Sequence, residues 1–256
     1  MKYNILLAFF ALLFTIILTG CYTAKIEPAL VYKTNENIKL DGNLNEKSWS
    51  RATSYNLSLL SNWDKMPCKT KKIMANQEFE TGSAKFLLGK EYLYIGIDFQ
   101  DFDILCDSNA PQGHHYLNGD LVEIFIKPLN APHYWELFFN PLKGRTSFAY
   151  PGTGNRGPSC FNIKHLMKDY KGEVKVYGSI NKTADKDTKW IAEIAIPLKE
   201  LAAKGVPFDE KNPWTILIAR YNYGANLRDI QFSTFPKLPR INYHLIEYYA
   251  PLKIVK

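Results

Sequence analysis

The chain has 256 residues, 32 basic and 25 acidic side chains, a net charge of +7 and four cysteines. That length suits one large β domain. The basic residues are scattered, with one tight run at Lys69–Lys72, and this sets aside nucleic acid as a partner; none of the cysteines stands in C-x-x-C spacing, which sets aside zinc and redox motifs.

In chain order, "MKYN" carries one positive charge and Ile5 to Leu18 carries none. A short basic start, an apolar run and small residues after it make an export signal. The run falls short of the ~20 apolar residues a membrane span needs. "LTGC", Leu18 to Cys21, resembles a bacterial lipobox. The resemblance implies cleavage before Cys21 and lipid on that residue. On this reading residues 1–20 are the signal peptide, 21–34 a lipidated tether and 35–256 the folded domain. Tyr22 is not the Asp that marks inner-membrane retention in some bacteria, so the expected location is the envelope, at the outer membrane where one exists. Removing 20 residues leaves 236, with Cys68, Cys106 and Cys160 as the remaining thiols. An odd count allows at most one internal bridge, and no disulfide framework is expected. The excess positive charge favours an acidic glycan or an anionic surface.

Past the tether the chain reads as strands. Alternation with aromatic or β-branched enrichment appears at 55–60, 83–89, 92–99, 121–128, 134–141, 145–151, 173–180, 189–197, 214–224 and 244–254. Gly, Pro, Asn and Asp punctuate these runs. The pattern predicts an antiparallel β-sandwich or barrel. Helical turns are predicted at "NEKSWSRA", "NIKHLMKD" and "PLKELAAKG". In "LVEIFIKP", Val122, Ile124 and Ile126 form a core-facing set, and Glu123 and Phe125 face the other way. In "YWELFFNP", Trp135, Leu137 and Phe139 share one face, and Glu136, Phe138 and Asn140 the other. In "WTILIARYNYG", Arg220 falls in phase with Ile216 and Ile218.

"DGNLNEKSWSRA" (41–52) resembles the opening of family 9 carbohydrate-binding modules and their DOMON-like relatives, at Asp41, Gly42, Glu46, Trp49 and Ala52. "EYLYIGIDFQD", "GDLVEIFIKP", "YWELFFNPLKG", "WIAEIAIPLKEL" and "NPWTILIARYNYG" follow in the family's order. The resemblance implies an antiparallel β-sandwich, immunoglobulin-like or jelly-roll, with a few short helices. It also implies a sugar site, often with calcium, and no catalysis. Trp49 then reads as a buried plug at one end of the sandwich.

The expected sugar face carries Glu123, Glu136, Asn140 and Arg220, whose charged and amide groups match sugar hydroxyls. A structural ion pair with Arg220 is the plainer alternative. Tyr116 in "APQGHHYLNG" and Trp63 in "SNWDKMP" are the candidate stacking rings, ahead of Tyr150, Tyr221 and Tyr223. Asp120 orients a loop or caps a turn. Asp98, Asp101, Asp103 and Asp107 form the densest acidic stretch, where calcium would bind if present; loop acidity explains it equally. Adjacent His114 and His115 point apart and make a poor metal pair. A haem reading would need Met66, Met74 or Met167, all in polar segments. Glu123 and Glu136 would be the acid/base pair of a glycosidase reading. A protein-binding scaffold is the remaining alternative.

Overall fold

The computed structural model describes residues 26–60, 78–152, 167–225, 227 and 230–256. Among these, thirteen strands and two short α-helices follow one another: β1 (Ala29–Lys33), α1 (Lys47–Arg51), β2 (Tyr55–Asn56), β3 (Ser58–Leu59), β4 (Gly82–Leu88), β5 (Tyr92–Gln100), β6 (Leu121–Pro128), β7 (Tyr134–Phe139), β8 (Arg145–Tyr150), β9 (Lys171–Tyr177), β10 (Lys189–Pro197), α2 (Leu198–Leu201), β11 (Trp214–Asn222), β12 (Gln231–Phe235) and β13 (Ala250–Val255).

The hydrogen-bonded order is β8-β7-β6-β11-β13-β1-β4-β5-β10-β9. This sheet curls so that its two halves face each other. The core-facing residues of β4, β5 and β10 (Phe86, Ile95, Ile97, Trp190, Ile194) pack against those of β6, β7 and β11 (Val122, Ile124, Leu137, Ile216, Ile218). The alternation in "LVEIFIKP" and "YWELFFNP" thus places its apolar phase between the layers. The β-sandwich with few helices stands as expected. One detail differs: β1 pairs in parallel with both β13 and β4.

β1 also lies inside the stretch read from the sequence as tether. Ala29 and Val31 are fully buried in the core. Five residues with a single alternating pair are too short to stand out by pattern. The predicted strand at 55–60 is two short pieces. β2 pairs with β4 in one half and β3 with β12 in the other, so this segment crosses between layers. The run at 244–254 also divides: a 3-10 turn occupies Ile246–Tyr248, and the strand begins only at Ala250. "PLKELAAKG" folds as expected. Pro197 precedes α2, a 3-10 turn follows, and Gly205 closes it at φ +88°.

Trp49 is fully buried, but not at an end of the sandwich. It lies on the outer face of the β4–β5–β10 half, above Gly96, with Ile38, Ala52 and Leu87 around it. A Cβ at position 96 would stand 3.1 Å from the indole ring, so the missing side chain makes room for it. The indole N–H donates to Glu193 Oε1 at 3.0 Å. The backbone N–H groups of Asp41 and Gly42 donate to Oε2 of the same carboxylate at 2.9 and 3.0 Å. The Asp-Gly turn and the Trp therefore fasten to one buried Glu on β10. Burial pushes the Glu193 carboxyl up to about 7 against the pull of these donors.

Candidate ligand-binding hollow

The outer face of the other half carries a second aromatic cluster. Antiparallel register sets Glu123 beside Ala219 and Phe138, and Phe125 beside Leu217 and Glu136. Glu136 in turn faces Phe148, and Tyr134 faces Tyr150. The two glutamates are therefore diagonal neighbours on one surface. Such neighbours are within reach of each other's charge.

Part of this surface is covered. The segment before β13 folds over it, burying Leu238, Tyr243, Leu245 and Tyr249. Tyr249 Oη donates to Tyr243 O at 2.7 Å, and Tyr134 Oη lies 2.9 Å from His244 Nδ1. From the other side a 3-10 turn, His115–Leu117, brings in Tyr116. The Tyr116 ring meets Phe138 edge-on at 5.7 Å and leans on Tyr221 at 6.2 Å. Tyr223 Oη fastens this turn by donating to Tyr116 O at 2.6 Å.

Between these covers remains a hollow of about 320 Å³. Glu123, Glu136, Phe138, Phe148 and Tyr221 line its floor, and Tyr116 and Ile241–His244 its walls. Glu123 and Glu136 are 2% and 6% exposed, and each has Oε2 without a hydrogen-bond partner. Burial pushes the Glu136 carboxyl up to about 7, although a bond from Tyr150 pulls it the other way. Burial, and then the neighbouring Glu136 charge, push Glu123 well above the usual carboxylate range.

These shifts set a pH dependence. Folded Glu136 holds its proton up to about 7, against 4.5 when unperturbed. Its contribution to stability is complete below about 4.5 and is lost as pH rises through 7. The difference amounts to about 3 kcal/mol. Urea melts at pH 5 and pH 8 should show a larger loss of stability for the wild type than for Glu136→Gln. Parallel losses in both proteins would contradict the assignment.

The predicted site residues separate in the structure. Glu123, Glu136, Tyr116, Tyr150 and Tyr221 meet in the hollow. Arg220 does not. It pairs with Val122 and points into the space between the layers, where it is fully buried. Its guanidinium donates to Asp101 Oδ2 at 3.1 Å, to Asn222 Oδ1 at 2.6 Å and to Glu80 O at 3.0 Å, and lies 4.8 Å from the centre of the Phe99 ring. The expectation that Arg220 shares the Glu123 face is corrected by its own phase with Ile216 and Ile218.

Asn140 is fully buried as a turn clamp: Oδ1 accepts from Gly144 N at 2.7 Å, and Nδ2 donates to Ser108 O at 2.8 Å. It does not line the hollow. Asp120 orients loops, accepting from Leu105 N and Tyr223 N, each at 2.6 Å. It thereby helps hold the Tyr116 turn through Tyr223. Trp63, Met66, Met74, Cys21, Cys68 and Cys160 lie outside the described residues.

The four acids of the candidate calcium stretch go separate ways. Asp98 pairs with Lys189 at 2.9 Å, Asp101 with Arg220, and Asp107 with His115 Nδ1 at 2.8 Å; Asp103 accepts from Ala225 N at 2.6 Å. Among the described residues no three His, Cys, Asp or Glu side chains converge on a metal position. Met167 sits in the inter-layer core, and Cys106 is a buried free thiol that burial pushes up to about 12.

Phe125, Phe138, Phe148 and the segment 241–244 were not read as site residues. Phe125 and Phe138 share the phase of Glu123 and Glu136 on their own strands, so alternation alone contains that signal; Phe148 comes beside Glu136 only through the β7–β8 register. The segment 241–244 is aromatic-rich but not periodic, and its cover of the sheet is a tertiary fact.

No family model matches the chain, and no curated protein matches it by sequence. Solved structures do resemble it. A candidate carbohydrate-binding protein from Bacteroides uniformis superposes with a TM-score of 0.65 at 13% identity, over 90% of this chain and 100% of that one. A family 9 carbohydrate-binding module from Caldicellulosiruptor kristjanssonii, in complex with cellotriose, gives 0.51 at 11% identity, over 88% of this chain and 93% of that one. The same organism's family 9 module in complex with glucose gives 0.52 at 11% identity, over 88% and 95%. The β-sandwich is thus consistent with the fold of carbohydrate-binding modules.

Proposed function

We propose that the domain binds a carbohydrate in the hollow above β6, β7 and β11 without hydrolysing it. The observation that carries this reading is the pair of buried glutamates with open Oε2 atoms, ringed by aromatic side chains. Sugars present hydroxyl donors to such acceptors and C–H faces to such rings. A volume of about 320 Å³ falls at the small end of the ~300–1,000 Å³ typical of small-molecule sites. The neighbouring structures that hold cellotriose and glucose support the ligand class.

Titration calorimetry against a panel of mono- and oligosaccharides tests it. Tyr116→Ala should weaken binding about fivefold, the ~1 kcal/mol that ring stacking supplies, in a protein whose melting curve still shows a cooperative fold. No binding across the panel, with capture of a protein ligand instead, would replace this reading with the scaffold one. Release of reducing sugar that Glu123→Gln abolishes would replace it with a glycosidase.

The domain is further proposed to be displayed on the envelope through lipid on Cys21. "LTGC" supports this. Cells fed labelled fatty acid should yield labelled wild type and unlabelled Cys21→Ser. Unlabelled wild type would refute the anchor.

A further inference from the structure

The lining of the hollow bears on which carbohydrate it accepts, an inference that rests on the carbohydrate reading above. Its floor holds two carboxyl groups on adjacent strands, Glu123 on β6 and Glu136 on β7, set diagonally across the ladder. Both are more than nine-tenths buried and both keep one oxygen unpartnered. An ionised carboxylate only accepts hydrogen bonds. The rings around the pair include Tyr116, Phe138, Phe148 and Tyr221, and aromatic faces carry the negative end of a quadrupole. Among the described lining residues the only basic side chains are the histidines His114 and His244; none is a lysine or an arginine.

Carboxylates and ring faces both attract a cation and repel an anion. The protein's net charge of +7 points the other way, toward acidic sugars. Exposed lysines act on a bound sugar through water and salt, which screen over ~8–10 Å, whereas the two glutamates act at contact in a site with little water. The local pair decides.

We propose that the hollow selects a sugar bearing a free amine, with the ammonium seated between Glu123 and Glu136 and the sugar ring against the aromatic walls. An ammonium offers three donors and a positive charge where a hydroxyl offers one donor and an N-acetyl group a single neutral N–H. It satisfies both open oxygens at once, and its charge balances carboxylates that give up their protons as it enters. The burial that raises both groups in the free protein is offset once the cation is in place. Uronic acids would set a third carboxylate against the pair and are rejected.

Calorimetry at pH 7 with matched series tests this: glucose, glucosamine, N-acetylglucosamine and glucuronate, and the corresponding galacto and manno sets. In at least one series the free amine should bind about tenfold or more tighter than the neutral sugar and its N-acetyl form, the margin of charge-assisted over neutral hydrogen bonds, and the uronate should not bind. The double variant Glu123→Gln/Glu136→Gln should bind every sugar more weakly and no longer distinguish the free amine from its neutral and N-acetyl counterparts, with its melting curve confirming a folded protein. Neutral sugars binding as well as amines, uronates binding, or a preference that survives the double variant would each overturn the inference and leave the carbohydrate reading standing. Failure of every sugar to bind would overturn both.

Discussion

Trp49→Ala should lower the unfolding free energy by about 3–5 kcal/mol, the cost of deleting a fully buried large aromatic. The indole fills the space over Gly96 and bonds Glu193. Its removal opens a cavity and leaves Glu193 Oε1 buried without its donor, a cost that adds to the lost packing. Trp49→Phe should therefore recover most of the packing but not the hydrogen bond, and fall between the two. Urea denaturation of the three proteins measures this ordering. Because Trp49 lies on the opposite layer from the hollow, sugar binding by the folded fraction should be unchanged. A Trp49→Ala protein as stable as wild type would contradict the burial.

Arg220→Ala should cost a comparable ~3–5 kcal/mol, because it strands a buried partner charge. Asp101 is already pushed up to about 6 by burial, with Arg220 beside it. Without the guanidinium it must take up a proton to stay inside. The loss should therefore be smaller at pH 4 than at pH 8, since the folded variant holds a proton that the unfolded chain releases as pH rises. Arg220→Met with Asp101→Asn removes both charges and should recover at least part of the stability, as neutral replacements of buried pairs do. Equal losses for the single and double variants at both pH values would show that packing on Phe99, not charge, is what Arg220 supplies.

Much of this architecture can be read from residues. Period-two alternation assigns the core faces of β6 and β7, because a buried layer admits few polar side chains and each strand must point alternate residues at it. The Asp-Gly pair, Trp49 and Glu193 are legible as separate motifs; that they converge is not, because 144 residues separate Trp49 from Glu193. Arg220 shows a different limit. Its phase with Ile216 and Ile218 places it in the core, yet a lone arginine suggests a surface role, since charges are rarely fully buried. It is buried because Asp101, Asn222 and the backbone carbonyl of Glu80 surround it. The walls of the hollow are the least legible part. Ile241–His244 has no period to betray its position, and tertiary contacts, among them those of His244 with Phe125 and Tyr134, fix it.

The placement of β1 has a mechanical consequence. The chain rises from Ala29 along β1, which is clasped by β13 on one side and β4 on the other, both running in its own direction. A pull on the N-terminal segment is directed along the strand axis. It strains the ladder bonds to both neighbours in shear, all together, where a strand peeled from an edge would release them one at a time. β13 is the last strand of the chain and pairs in turn with β11, which lies beside the Glu123 strand. Tension entering at Ala29 would thereby be shared by the first and last strands and carried into the centre of the fold before it reaches the layer that holds the hollow.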